Sequence, residues 1–318
     1  MSSYIKLTDV QDQVMTMYRE GRDRGESTGF KTLDRFYRVK KGCTTYVTGT
    51  PGHGKTHFTF ELLLNLTQSK GWKHLLFTPE TGSDAEIVAT LTEKYTKKKF
   101  DDLPFHPTDR MTEREAQITT GYLSQAFFLC DQSQTMTVDK VLNTALEVKK
   151  DHGLDTIMID PWNELSHDFS QNNGREDKYL EYTLGKIRRF ARDNDVHIFI
   201  DAHPKTLHKN KDGQYEPATA WDISGGAPWF AKGESIICVY RPDETNVSQI
   251  IIQKVKPAII GKKGTCELYY DIPTGRYYEE IDGRNYYAFG EENRRAVNES
   301  PIISIQSQQF EKQVEVPF

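Results

Sequence analysis

Gly49-Thr50-Pro51-Gly52-His53-Gly54-Lys55-Thr56 constrains the fold of this chain more than any other stretch. It satisfies G-x-x-x-x-G-K-[ST] at every fixed position. Residues 43–48 before it are β-branched and aromatic, the composition of a buried strand. Residues 57–68 after it place Phe58, Leu62, Leu63 and Leu66 at helical spacing. Strand, glycine loop and helix together give the pattern its meaning. Backbone N–H groups of such a loop curl around phosphate oxygens, and the helix N-terminus adds a positive dipole end. Gly49, Pro51, Gly52, His53 and Gly54 are expected to form the cradle. Lys55 is expected to reach the β- and γ-phosphates, and the Thr56 hydroxyl to hold Mg²⁺.

The chain then alternates short apolar strands with amphipathic helices, the pattern of a parallel sheet. A strand at 73–78 leads to Glu80, a carboxylate on the rim that also carries the phosphate loop. Glu80 either polarises the water that attacks the γ-phosphate or caps the helix that starts near Asp84. Helices follow at 84–97, 111–124 and 137–150, with a strand at 126–130. Lys97-Lys98-Lys99 reads as a solvated face. A strand at 156–160 ends in Asp160, placed to orient the Mg²⁺ shell. After a helix at 176–193, a strand at 196–201 leads to His203, a polar residue that can report whether the γ-phosphate is present. Lys205, Lys209 and Lys211 follow on a glycine-containing loop, either a phosphate-backbone grip or an ordinary solvated loop. Strands at 235–240 and 248–255 come next. Lys254 and Lys256, two residues apart, point to one side. A hairpin joins 265–271 to 276–279 across Pro273-Thr274-Gly275.

Ahead of this lies an amphipathic helix at 7–20, which packs either on its own core or on a neighbouring subunit, and a polar linker at 21–29. Beyond Gly290 the chain is polar and reads as a flexible tail, in which Phe318 is either a docking residue on a replisome partner or part of plain disorder. Composition excludes several classes. No run of about 18 apolar residues is present, so no membrane span is expected. Cys43, Cys130, Cys238 and Cys266 are scattered and read as reduced core residues of a cytosolic protein. A formal net charge of −5 argues against a protein that coats nucleic acid over its whole surface.

The ordered series of motifs resembles the RecA-like helicase domain of the DnaB/Twinkle group of replicative hexameric helicases, including phage primase-helicases. Its pieces are Gly29-Phe30 with Leu33-Asp34, the loop Gly49 to Thr56, Phe77-Thr78-Pro79-Glu80, Ile157 to Leu165, Ile200 to Lys205, Asp222-Ile223-Ser224-Gly225 and Lys254-Val255-Lys256. The resemblance implies an α/β, RecA-like P-loop NTPase fold with a largely parallel central sheet flanked by helices. It divides the chain into an arm and linker at 1–27, an ATPase domain at 28–288 and a tail at 289–318. It implies an ATP-dependent helicase, using ATP or another NTP or dNTP with Mg²⁺, that moves 5′-to-3′ on single-stranded or forked DNA as a homo-oligomeric ring, a hexamer. Glu80 matches the catalytic glutamate, Asp160 the Mg²⁺-site aspartate and His203 the γ-phosphate sensor. Lys205, Lys209 and Lys211 match a DNA-contacting channel loop. Arg241 and Tyr270 match positions that flank the nucleotide base. Lys254 and Lys256 match a basic pair supplied by the neighbouring subunit. The second of that pair is usually arginine, and Lys256 lacks its bidentate fork. Without a zinc ribbon or primase segment, the expectation is a phage or mobile-element helicase in the host cytoplasm, with a separate primase, polymerase or single-strand-binding protein as partner. Two rival readings remain: a RecA/KaiC-like DNA-binding or regulatory ATPase, and a monomeric phosphotransferase.

Overall fold

Ten strands form one sheet, in the order β10-β9-β8-β7-β6-β1-β5-β4-β2-β3. They are β1 (Thr44–Thr48), β2 (His74–Phe77), β3 (Phe127–Leu129), β4 (Thr156–Ile159), β5 (His197–Asp201), β6 (Ser235–Tyr240), β7 (Val247–Lys254), β8 (Gly264–Asp271), β9 (Arg276–Ile281) and β10 (Arg284–Tyr287). The helices are α1 (Gln11–Glu20), α2 (Lys31–Asp34), α3 (Lys55–Lys70), α4 (Asp84–Thr96), α5 (Glu113–Leu123), α6 (Val138–His152), α7 (Glu176–Asp193) and α8 (Ala227–Lys232). This computed structural model describes residues 4–101, 110–211, 213–242 and 245–288. The tail at 289–318, with Phe318, lies outside the described residues.

Strands β3, β2, β4, β5, β1 and β6 run parallel, and β7 to β10 continue the sheet antiparallel. The parallel strands are apolar runs because helices cover both of their faces. Successive residues divide between those faces. Val47, Leu76, Met158 and Phe199 join one core with Phe58, Leu62 and Leu66 of α3 and Ile87 and Leu91 of α4. Tyr46, Leu75, Ile157 and Ile198 join the other with Val141 of α6, Leu184 and Ile187 of α7, and Trp229 of α8. The period of two in each strand thus builds two cores. Helix α3 is buried on nearly every side, including polar Glu61 and Asn65. Leu62→Ala, at a fully buried position of α3, is expected to cost about 2–5 kcal/mol of stability in urea unfolding. A loss below about 1 kcal/mol would mean that α3 is not central to the core.

Two features differ from the sequence reading, and for α1 one of its two alternatives falls away. Strand β10 extends the sheet beyond the expected hairpin, although Asp282-Gly283 is a type I′ hairpin signal and both residues have positive φ. Lys97 to Lys99 are not a solvated face. Lys98 pairs with Glu115 at 2.5 Å and Lys99 with Glu93 at 2.8 Å, while Lys97 closes α4 in the left-handed region with its ammonium over the Tyr287 ring. Helix α1 does not pack on its own core. None of its residues is buried, and Val14, Met17 and Tyr18 are exposed. No helix among the described residues is long and apolar enough to cross a membrane.

Candidate nucleotide-binding site

Strand order places the C-terminal ends of β1, β5, β4 and β2 side by side. Their register levels those ends: Val47 faces Asp201, Ile200 faces Ile159, and Ile159 faces Phe77. Residues 49–56, 201–203, Asp160 and Glu80 therefore meet on one rim. This is the rim where ligands of open α/β sheets bind.

The loop is fitted closely to its surroundings. A Cβ at Gly49 would lie 2.1 Å from the Val239 carbonyl oxygen of β6, so no larger residue is accommodated. Gly54 caps α3 with φ of +89°, and a Cβ there would lie 2.8 Å from the Tyr277 hydroxyl. Buried Lys55 donates from Nζ to the Gly49 carbonyl at 3.0 Å and the Thr50 carbonyl at 3.4 Å. Burial lowers its pKa, while Asp201 and Asp160 act in the opposite direction. An anion at the loop would relieve that cost, because a buried cation is stabilised by a paired charge.

Thr56 Oγ1 donates to Asp160 Oδ2 at 2.5 Å. Burial pushes the Asp160 carboxyl up to about 6, and Glu80 adds to the rise, while the Thr56 hydrogen bond and Lys55 oppose it. Asp201 is fully buried and accepts a hydrogen bond from the Thr59 hydroxyl. Its pKa is raised well above the usual range by burial first and by Asp160 second. In the sequence Asp201 reads only as a strand end, without a role. A second acidic strand end on the loop's own rim is the signal that could have found it. A hydroxyl and a carboxylate in contact, backed by a further buried carboxyl, make a hard-oxygen donor set that suits Mg²⁺.

His203 and Glu80 are brought together, with His203 Nε2 3.5 Å from Glu80 Oε2. Burial and then Lys55 lower the His203 pKa, against the pull of Glu80 and Glu164. On the loop's other flank, the Arg241 backbone N–H donates to His53 Nδ1 at 3.0 Å, and Arg241 Nη2 to the Gly52 carbonyl at 3.1 Å. Burial, Arg241 and Lys55 lower the His53 pKa to about 4, leaving a neutral acceptor. Tyr270 is half-buried, its ring 5.6 Å from that of His57 in the first turn of α3.

The remaining candidates follow the rim or lie below it, and Lys205 comes two residues after His203. Lys205, Lys209 and Lys211 are exposed. The Lys205 N–H donates to the Asp222 carbonyl at 2.7 Å, and the Lys209 ammonium lies over the Tyr215 ring. Lys254 ends β7, an interior strand two places from β1, and lies below the rim. It pairs with Ile236, which also pairs with Tyr46, three residues upstream of Gly49. That offset is about 10 Å of strand, and β7 runs antiparallel, so Lys256 lies further from its own phosphate loop. Lys254 Nζ donates to the Phe230 carbonyl, beside Arg188, Lys256 and Lys263.

Known proteins share this architecture. A solved ATPase domain matches with a TM-score of 0.68 at 19% identity, over 84% of this chain and 97% of that one. A DnaB-like replicative helicase, solved in a study of its interactions with primase, matches with a TM-score of 0.67 at 18% identity, over 87% and 68%. In sequence, the chain is 33% identical over 279 residues to an Arabidopsis thaliana Twinkle homolog protein, chloroplastic/mitochondrial, covering 85% of this chain and 39% of the relative. The chain thus spans well under half the length of that relative. The DnaB-like helicase C terminal domain model matches residues 25–279. With a family match across most of its length and the phosphate-loop rim folded as described, the chain belongs to the DnaB-like helicase C-terminal domain family.

Proposed function

We propose that the chain is the motor of an ATP-dependent DNA helicase, a ring of identical subunits that moves 5′-to-3′ on single-stranded DNA. One observation carries the proposal. Lys55, Thr56, Glu80, Asp160 and His203 share one rim, whereas Lys254 of the same chain lies below it, two strands from β1 and level with Tyr46, and the chain runs on to Lys256 away from the rim. A second copy, set head to tail, is needed to bring a basic pair to the nucleotide. Such heterologous contacts close into rings when the rotation permits. The uncovered apolar positions of α1 are assigned to the neighbouring subunit of that ring.

In this reading the loop N–H groups and Lys55 hold the phosphates, with Lys55 exchanging its loop carbonyls for phosphate oxygens. Thr56 and Asp160 hold Mg²⁺, which when bound neutralises phosphate charge. Glu80 orients the attacking water and takes its proton. His203 bridges Glu80 and the γ-phosphate position, so phosphate release alters what it touches. Arg241 and Tyr270 flank the base. Lys254 and Lys256 of the neighbour meet charge that develops on the transferred group. His203 is joined through Pro204 to Lys205, and this short link carries the change to the lysine loop. Lys205, Lys209 and Lys211 grip the phosphate backbone of one strand, and the other is excluded. Residues 28–288 form the motor, 1–27 its docking arm, and a hexamer is the assigned ring.

Unwinding of a forked duplex that depends on ATP and on a free 5′ tail is the direct test, and wild-type chain that forms rings but never unwinds would sink it. Replacing Lys205, Lys209 and Lys211 together by Ala should lower the salt dependence of single-strand binding. The slope of log K against log salt should fall by about 0.7 for each phosphate no longer neutralised, roughly 2 in all. An unchanged slope would remove the loop from the DNA path.

A further inference from the structure

Glu61, Lys94 and Arg276 are buried charges that the phosphate chemistry leaves unused. They come from α3, α4 and β9. Glu61 Oε1 accepts from Arg276 Nε at 2.6 Å, and Glu61 Oε2 lies 3.3 Å from Lys94 Nζ. Lys94 Nζ also donates to the Gly275 carbonyl at 2.5 Å. Arg276 donates from Nη1 to the Lys94 carbonyl at 3.2 Å and from Nη2 to Asn65 Oδ1 at 3.0 Å. Burial pushes the Lys94 ammonium down to about 8, with Arg276 adding to the fall and Glu61 opposing it. Stability is a weak reason for such a cluster, since well-packed apolar groups often serve as well.

The surroundings of the cluster suggest a different reason. Lys94 Nζ lies 5.5 Å from the Tyr270 ring centroid and 5.6 Å from that of Tyr277. The two tyrosines meet edge to face at 5.1 Å. The Tyr277 hydroxyl donates to the Gly54 carbonyl at 3.4 Å, and Tyr270 lies against His57. The hairpin turn is held at Gly275 and its second strand at Arg276. The cluster therefore fastens the β8–β9 hairpin to α3 from below, while its tyrosines flank the phosphate loop from the side of Arg241. None of its three charges touches a loop N–H group or Lys55.

We propose that Glu61, Lys94 and Arg276 are positioning residues for the nucleobase, fixing the Tyr270–Tyr277 hairpin so that the site recognises a nucleoside triphosphate through its base as well as its phosphates. This rests on the nucleotide-site reading above. Two ligands separate the contributions: a non-hydrolysable ATP analogue, which carries the base, and inorganic tripolyphosphate, which does not. Calorimetric titration of the full chain and of Glu61→Gln and Lys94→Met gives both affinities. The variants should weaken the ATP analogue by about tenfold and tripolyphosphate by less than about twofold. Equal shifts for both ligands, or none for either, overturn the inference in favour of a structural role. If Lys94→Met does not fold, Glu61→Gln decides, because it keeps the shape and most hydrogen bonds. A wild-type chain that binds neither ligand overturns the nucleotide-site reading itself, a result distinct from equal shifts in a binding-competent background.

Discussion

Glu80→Gln is expected to lower DNA-stimulated ATP turnover by about 10²–10⁴-fold while leaving nucleotide affinity intact or slightly improved. The expectation follows from where the side chain sits. Pro79 opens a short 3-10 turn directly after β2, which sets Glu80 on the loop's rim, with its carboxylate half exposed. It is not among the charges locked into the fold. Its one described ion-pair partner is His203, at 3.5 Å. The amide has the same shape and can still accept from His203, but it cannot take a proton from water. Removing a negative charge near Lys55 and the phosphates should not weaken binding. Steady-state turnover and the affinity of a fluorescent ATP analogue together make the test. Turnover retained within about threefold of wild type would show that Glu80 is not the base. A parallel loss of affinity would instead assign it to binding.

Most of this site is legible in the sequence because its parts are local. A phosphate loop announces itself by eight consecutive residues, and Glu80, Asp160 and His203 each follow directly on an apolar strand. Parallel strands all point their C-terminal ends the same way, so the strand ends predict a shared rim before any contact is known. What cannot be read depends on residues distant in sequence. Glu61, Lys94 and Arg276 meet across more than 200 residues of chain, and no periodicity marks a buried ion pair. Lys98 looks solvated because its partner Glu115 lies on α5, whose approach to α4 the sequence does not give, whereas Lys99 reaches back six residues to Glu93 of α4, past the left-handed turn at Lys97. Asp201 is visible as a strand end, but its complete burial is not. For α1 the limit is of another kind. Its apolar spacing marks the helix correctly, yet none of its residues is buried in this chain's own core.

The same logic governs Lys256, where the largest effect is expected to appear between chains. Lys256→Ala alone should slow turnover by about 10²–10³-fold, somewhat less than the 10³–10⁵ of an arginine finger, because an ammonium offers a point charge without the planar fork. Loss of activity by itself does not say whose site was damaged. Mixing does. If Glu80 acts in its own chain and Lys256 in the next, each interface needs one intact residue from each side. Rings assembled from equal amounts of Glu80→Gln and Lys256→Ala chains then contain interfaces where a Lys256→Ala chain supplies Glu80 and a Glu80→Gln chain supplies Lys256. With random placement and independent interfaces, about one interface in four is intact, and turnover should recover toward about a quarter of wild type. Were both residues to serve the same chain's nucleotide, every site in the mixture would carry one lesion, and the mixture would be no more active than its parents. The position of Lys254 and Lys256 below the rim leads us to expect recovery, since β7 runs antiparallel to β6 and leads the chain away from its own phosphate loop.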